Sequence, residues 1–392
     1  MGEISLAKRR KVLQKVATTG VDLDCVYAQT LQRIRDQNGS RSKLGMEVLM
    51  WVSHAERPLR IDELRHALAV EIGATDFDLE NVPPQDTVLG LAVVDKETSQ
   101  VRLIHYTLQE YLSRPGVLPD AHRTLGQTCL TYLNYDQVKR IPADNVSTLG
   151  NMPFLEYSSL HWGRHAKIEL SHHAKSLTLD LLSRYEDHIS STLLFDKIRG
   201  YRSFWDTPSR YLFTGLHCAS YFGIDKIVAA LIEAQGCNIN QGDCEGCTPL
   251  ILAAQQGNQG AVMLLLAQDD IDPNKPDNYS ETPLRWASLY GHAEVVRVLL
   301  ARDHVNPDKP DKYGGTPLGG ACFNWHEGVG RLLLARDDVN PDKPDNDSRT
   351  PLGGASCEGH ERVVRLLLAR GDVNPNKPDN DSETPLFQAS RS

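Results

Sequence analysis

Along the C-terminal half, apolar positions fall into blocks that return every 34 residues. Thr-Pro-Leu stands at Thr248, Thr282, Thr316, Thr350 and Thr384, and one period earlier the chain reads Thr214-Gly215-Leu216-His217. A fixed period of this size marks a stack of short supersecondary units. Threonine suits an N-cap, because its hydroxyl satisfies a free N–H of the first turn. Proline suits the next position, where its missing N–H costs nothing. A small residue follows at Ala219, Ala253, Ala287, Ala321, Ala355 and Ala389, allowing close helix packing. Gly223, Gly257, Gly291 and Gly359 are placed to end each first helix in the left-handed conformation. Val295-Val296-Arg297-Val298-Leu299-Leu300 then carries the apolar stripe of a second helix. Loops such as Asn306-Pro307-Asp308-Lys309-Pro310-Asp311 close the unit, their prolines reducing the entropy lost on ordering. No such unit buries its apolar face alone, so stacking is required.

The N-terminal half has a different pattern. Residues 43–55 and 61–71 read as helices broken apart by Arg57-Pro58-Leu59, with Asp62 and Glu63 at the positive end of the second. Residues 88–94 and 101–105 read as two strands joined by a turn, and 109–112 as a further helix. Helical periodicity resumes at 125–133, 154–165 and 174–185. The fold class expected is therefore mainly α: a solenoid preceded by two helices with a two-stranded wing, and by a helical linker. The expected domains are 1–42, 43–115, 116–205 and 206–392.

The repeat resembles the ankyrin family and its Asp-x-x-Gly-x-Thr-Pro-Leu-His-x-Ala signature, over about 210–392. That resemblance implies a protein-binding concave face. The loops are one residue longer than the commonest form, Trp325 stands where the helix-ending glycine belongs, and the sixth unit stops at Ser392. An uncapped end of that kind would expose Leu386 and Phe387.

Trp51-Val52-Ser53-His54, Arg57-Pro58-Leu59, Glu63-Leu64, His66-Ala67-Leu68 and the run from Arg102 through Leu112 resemble the region after the NTPase core in fungal-type NACHT–ankyrin proteins, signal-transducing NTPases related to NOD-like receptors. The resemblance implies a winged helix, degenerate here because only Pro83-Pro84-Gln85-Asp86 stands where a third helix is expected. In that family the histidine of the final run reads the phosphate of a bound nucleotide, and His105 is the matching position. No Gly-x4-Gly-Lys-Ser/Thr run that could cradle phosphates occurs in the chain. His105 is thus expected either to be vestigial or to contact a separate NTPase-bearing chain, and no cofactor is expected. Lys8 to Lys11 and the helix through Cys25 to Arg35 resemble the tail of the NTPase domain, which would lie upstream.

Charge and chemistry narrow the picture. A net charge of −9 argues against a generic nucleic-acid binder. A winged-helix DNA reader is a weak alternative, given Asp62, Glu63 and Glu71 on its second helix. No stretch approaches the roughly 18 apolar residues of a membrane span. The N-terminus lacks the apolar core of a secretory signal, so a cytoplasmic protein with reduced cysteines is expected. His161, His165, His172 and His173, or Cys237, Cys244 and Cys247, could hold a metal, but neither set has a completing ligand, and core packing or loop usage is the plainer reading. Arg297, Arg331 and Arg365, and Arg302, Arg336 and Arg370, recur with the repeat and read as local ion pairs or as a basic stripe. No nucleophile elbow or His-Glu-x-x-His is present, so no enzyme is expected. The candidate binding positions are loop tips and first-helix ends: Tyr279, Glu281, Leu289, Tyr290, Tyr313, Phe323, Asn324, Trp325, Arg349 and Glu358. Aromatic residues and arginine dominate interface hot spots, and these stand among loops otherwise rich in Asp, Asn and Pro.

Overall fold

The computed structural model describes residues 23–37, 39–84, 92–143, 151–200, 212–234 and 237–390. The basic N-terminus and residues 88–91 of the first predicted strand lie outside them. The chain divides into two compact units, Met1–Val138 with Ser147–Glu169, and Lys139–Val146 with Leu170–Ser392.

In the first unit α1 (Leu23–Arg35), α2 (Gly39–His54) and α3 (Ile61–Leu68) precede the hairpin of β1 (Ala92–Val94) and β2 (Val101–Leu103). The hairpin is antiparallel, with Ala92 opposite Leu103. Between α3 and β1 the described residues hold only a single 3-10 turn, Leu79–Asn81. Next come α4 (Tyr106–Leu112), α5 (Ala121–Leu133), α6 (Asp136–Lys139) and α7 (Phe154–Ile168). Several boundaries differ from the sequence expectation: α2 begins at Gly39 rather than 43, and α3 ends at Leu68 rather than 71. β2 stops at Leu103, and α4 begins at Tyr106 rather than at Gln109, because His105 takes the extended conformation of an N-cap residue.

The start of α3 is set by Glu63. Its carboxylate accepts from the Arg60 backbone N–H at 2.7 Å, which closes a capping box. Arg57 grips the same carboxylate with two bonds of 2.9 and 2.8 Å. Glu63 is fully buried. Burial alone would raise its carboxyl, but the bonds from Arg57 and Arg60 more than offset this and hold it below the usual carboxylate range. α5 and α7 pack along one another, and Trp51 of α2 meets Phe154 edge-on at 5.4 Å.

In the second unit α8 (His172–Leu182) and α9 (Ile189–Arg199) precede the repeats. The repeats are the helix pairs α10 (Gly215–Phe222) and α11 (Asp225–Glu233), α12 (Pro249–Gln255) and α13 (Gln259–Leu266), α14 (Pro283–Leu289) and α15 (Ala293–Leu300), α16 (Pro317–Phe323) and α17 (Glu327–Leu334), α18 (Pro351–Cys357) and α19 (Glu361–Leu368), then α20 (Pro385–Ala389). Thr248, Thr282, Thr316, Thr350 and Thr384 each accept from the N–H three residues on, with proline at the first helical position. Neighbouring loops are joined by backbone bonds such as Lys312 N to Tyr279 O and Asn346 N to Tyr313 O, both 2.9 Å. His292, His326 and His360 each donate Nε2–H to a carbonyl 37 residues earlier, at 2.9 to 3.0 Å. These bonds run between units, so the repeat period is also the period of cohesion.

Gly215 breaks the Thr-Pro-Leu rule for a steric reason. A Cβ at Gly215 would stand 2.4 Å from the backbone oxygen of Leu182. The end of α8 lies against this turn, and α8 packs on both α10 and α11. The first repeat is covered by the helix before it, and that close approach excludes a side chain.

Candidate protein-binding surface

Short loops and first helices of successive repeats place their tips side by side. Tyr279 and Tyr313 are exposed at adjacent loop tips, with Lys312 between them. The Lys312 ammonium lies 3.7 Å from the Tyr279 ring centroid and 5.0 Å from that of Tyr313. At the helix ends Tyr290, Phe323 and Trp325 are each 45–60% exposed. Exposed aromatic side chains gathered in one region are the residue types enriched in interface hot spots. Trp286 stacks beneath Tyr290 at 5.8 Å and sets the ring plane.

Trp325 has φ of 59°, where the other units have left-handed glycines such as Gly291. A bulky residue costs roughly 1–2 kcal/mol there, and such strain persists where the surroundings over-determine it. Here the indole stacks on His360 at 5.7 Å with the ring planes 12° apart.

A groove of about 430 Å³ runs between these features. Of the residues singled out from sequence, Leu289, Tyr313, Phe323, Asn324 and Arg349 line it. Tyr279, Glu281, Tyr290, Trp325 and Glu358 lie outside the groove. Glu281 is half-buried below the loop tip. Burial first, then Asp277 and Asp311, raise its carboxyl to about 7, against the lowering influence of Arg285 and Lys312. Glu358 is exposed at the end of α18.

Sequence reasoning missed Arg285, Asp311 and Lys343, which also line the groove, and the glycines that open it. The available signal was a substitution within the repeat. Where earlier units carry Ile251-Leu252 and Arg285-Trp286, later ones carry Gly319-Gly320 and Gly353-Gly354. Removing both side chains twice in succession leaves the space.

Of the histidines and cysteines singled out as metal candidates, His165 and Cys247 are core residues. His165 is fully buried, with Nε2 3.0 Å from the Tyr157 hydroxyl and Nδ1 2.9 Å from His122 Nδ1. Cys247 is buried and its thiol is pushed up by that burial. Among the described residues no group of three or more His, Cys, Asp or Glu side chains is placed to hold a metal ion. Arg297, Arg331 and Arg365 pair with Glu294, Glu327 and Glu361 on their own helices, and Arg336 and Arg370 with Asp338 and Asp372. These five periodic arginines thus form local ion pairs, each pair worth only about 0–1 kcal/mol. His105 is exposed, with Nδ1 2.9 Å from Thr107 Oγ1. Among the described residues no helix is long and apolar enough to cross a membrane.

Comparison with known proteins agrees with this architecture. Ankyrin repeats match in three overlapping copies, over residues 216–311, 271–345 and 300–379. Residues 33–121 match the winged helix domain of GPI inositol-deacylase. No curated protein matches the chain. The stretch where the sequence offered no third helix lies within this winged-helix match. The chain thus carries ankyrin repeats in its C-terminal half and, nearer its N-terminus, a winged-helix domain of the GPI inositol-deacylase type.

Proposed function

We propose that this chain is a non-enzymatic protein-binding module, the ligand-sensing half of a NACHT–ankyrin signalling receptor of the non-self recognition or regulated cell-death type, acting in the cytoplasm. The observation that carries the reading is the concentration of exposed Tyr279, Tyr290, Tyr313, Phe323 and Trp325 on one stretch of the repeat stack. Rigid aromatic rings supply contact area at low entropy cost, and repeat frames hold them at fixed spacing. Protein, rather than nucleic acid or membrane, fits a chain of net charge −9. The winged-helix match supports descent from a receptor whose NTPase core is a separate module. His105 stands exposed on that unit, which suits contact with an NTPase-bearing paralogue in trans.

The test compares partners of the intact chain with those of a Tyr279→Ala, Tyr290→Ala, Tyr313→Ala, Phe323→Ala variant by proximity labelling in cells. Circular dichroism first establishes that the variant folds. Partners lost with the variant assign recognition to the concave face. Partners unchanged remove that face and direct attention to the surface around His105.

A further inference from the structure

We propose that the groove at Gly319-Gly320 seats the carboxylate side chain of an extended acidic segment of a partner protein. The proposal rests on the concave-face reading above and names the chemistry that face would select.

The argument begins with Arg285. Its side chain lies across the floor, where a Cβ at Gly320 would meet Nη1 at 2.0 Å. Arg285 is only 8% exposed. Nη2 donates to Asp311 Oδ2 at 3.1 Å, whereas Nε and Nη1 have no acceptor. Buried donors are normally paired, so two unpaired guanidinium nitrogens at an open groove are the exception that asks for a ligand. Arg349 also lines the groove, with its Nε unpaired, and it has no carboxylate partner among the described residues. Lys343 adds a third cation at the edge, its Nζ bonded to the Asp308 carbonyl at 2.6 Å.

The anions of the groove do not cancel this set. Asp311 is held by Arg285 and by the backbone N–H groups of Tyr313 and Gly315, both at 2.8 Å. Asp345 spends Oδ1 on the N–H groups of Asp347 and Arg349. Three cations therefore face two carboxylates, in a chain whose overall charge is −9. A planar guanidinium matches a carboxylate with two parallel bonds. Tyr313 and Phe323 give the groove apolar walls for the residues flanking that carboxylate. A volume of about 430 Å³ lies in the range of pockets that enclose a ligand group, about 300–1,000 Å³.

A displayed library of random dodecapeptides, selected against the full chain, tests this. The expected result is enrichment of peptides with Asp or Glu at a fixed position. Changing that residue to Asn or Gln should weaken binding about tenfold, the scale of one lost charge-assisted contact. Arg349→Gln should weaken it to a similar degree. Gly319→Leu, whose Cβ meets nothing nearer than the Thr316 hydroxyl at 3.4 Å, should fill the groove and abolish binding without disturbing the helix. Peptides that lack an acidic residue, or that bind both variants as well as the parent chain, overturn the carboxylate seat. If those peptides still fail on the four-alanine aromatic variant, the concave face remains the binding surface. If they bind that variant too, both readings fall.

Discussion

Acidification should loosen the first unit through His165. This ring is fully buried and bonded to Tyr157 and His122. Burial first, then the neighbouring His122, His161 and His54, depress it from the ordinary 6.5 to about 3. In the unfolded chain it titrates near 6.5. The folded pKa is the lower one, so its stabilising contribution is complete above about pH 6.5. It is lost as pH falls from there towards 3. Between pH 7 and pH 5 the unfolded chain takes up most of one proton that the folded state refuses, a loss of about 2 kcal/mol. His54, His66 and His122 are also depressed, chiefly by burial, and act with the same sign. Hydrogen exchange of peptides covering 154–168, corrected for intrinsic rates, reads local opening at both pH values. Opening should increase about 30-fold from His165 alone. His165→Gln keeps a polar partner for Tyr157 but cannot titrate, so its opening equilibrium should be less pH-dependent by that factor. Equal pH dependence in the variant and the parent chain refutes the reasoning.

Two further outcomes follow from buried contacts. Arg57→Ala leaves the Glu63 carboxylate buried with only Arg60 beside it and should cost about 3–5 kcal/mol in urea unfolding of the first unit; adding Glu63→Gln should recover part of that loss. Gly215→Pro restores the repeat consensus yet should destabilise by about 1–3 kcal/mol, because the ring meets the Leu182 backbone; a stabilised variant in thermal unfolding would show that α8 does not press on this turn.

The repeat was legible because each unit uses the same local chemistry. A threonine cap, an N1 proline and a left-handed glycine act within a few residues, so their spacing alone encodes the helix pair. Trp325 was visible as a departure for the same reason, and it does take a left-handed φ. The site was less legible. Arg285 reaches Asp311 across 26 residues, and nothing local marks an arginine inside one unit as serving the next. His165 and His122, 43 residues apart, meet only because α5 and α7 pack together. The start of α4 was missed because Tyr106 is 71% exposed, so the apolar pattern of that helix begins only after it.

The groove lies where two successive loop aspartates lack a side-chain donor in their own unit. Each loop aspartate spends Oδ1 on two backbone N–H groups, as at Asp277 and Asp379. At these two, Oδ2 also takes a side-chain donor nine residues on, Trp286 for Asp277 and Gln388 for Asp379, whereas at Asp243 that position is Leu252 and Arg199 donates instead. Gly320 and Gly354 occupy that position for Asp311 and Asp345. Arg285 of the preceding unit serves Asp311 instead. For Asp345 the matching place in the preceding unit is Gly319, which has nothing to donate. Gly354→Gln should restore the bond, since a Cβ there meets only Phe323 Cδ2 at 3.8 Å. The gain should be about 1 kcal/mol from helix propensity and about 1 kcal/mol from the hydrogen bond. Urea unfolding of the second unit measures it, and no gain would mean that Asp345 is satisfied by water. The same side chain would stand in the groove, so the more stable protein should bind its partner less well, the trade expected where a fold leaves a regular contact unmade for the sake of a ligand.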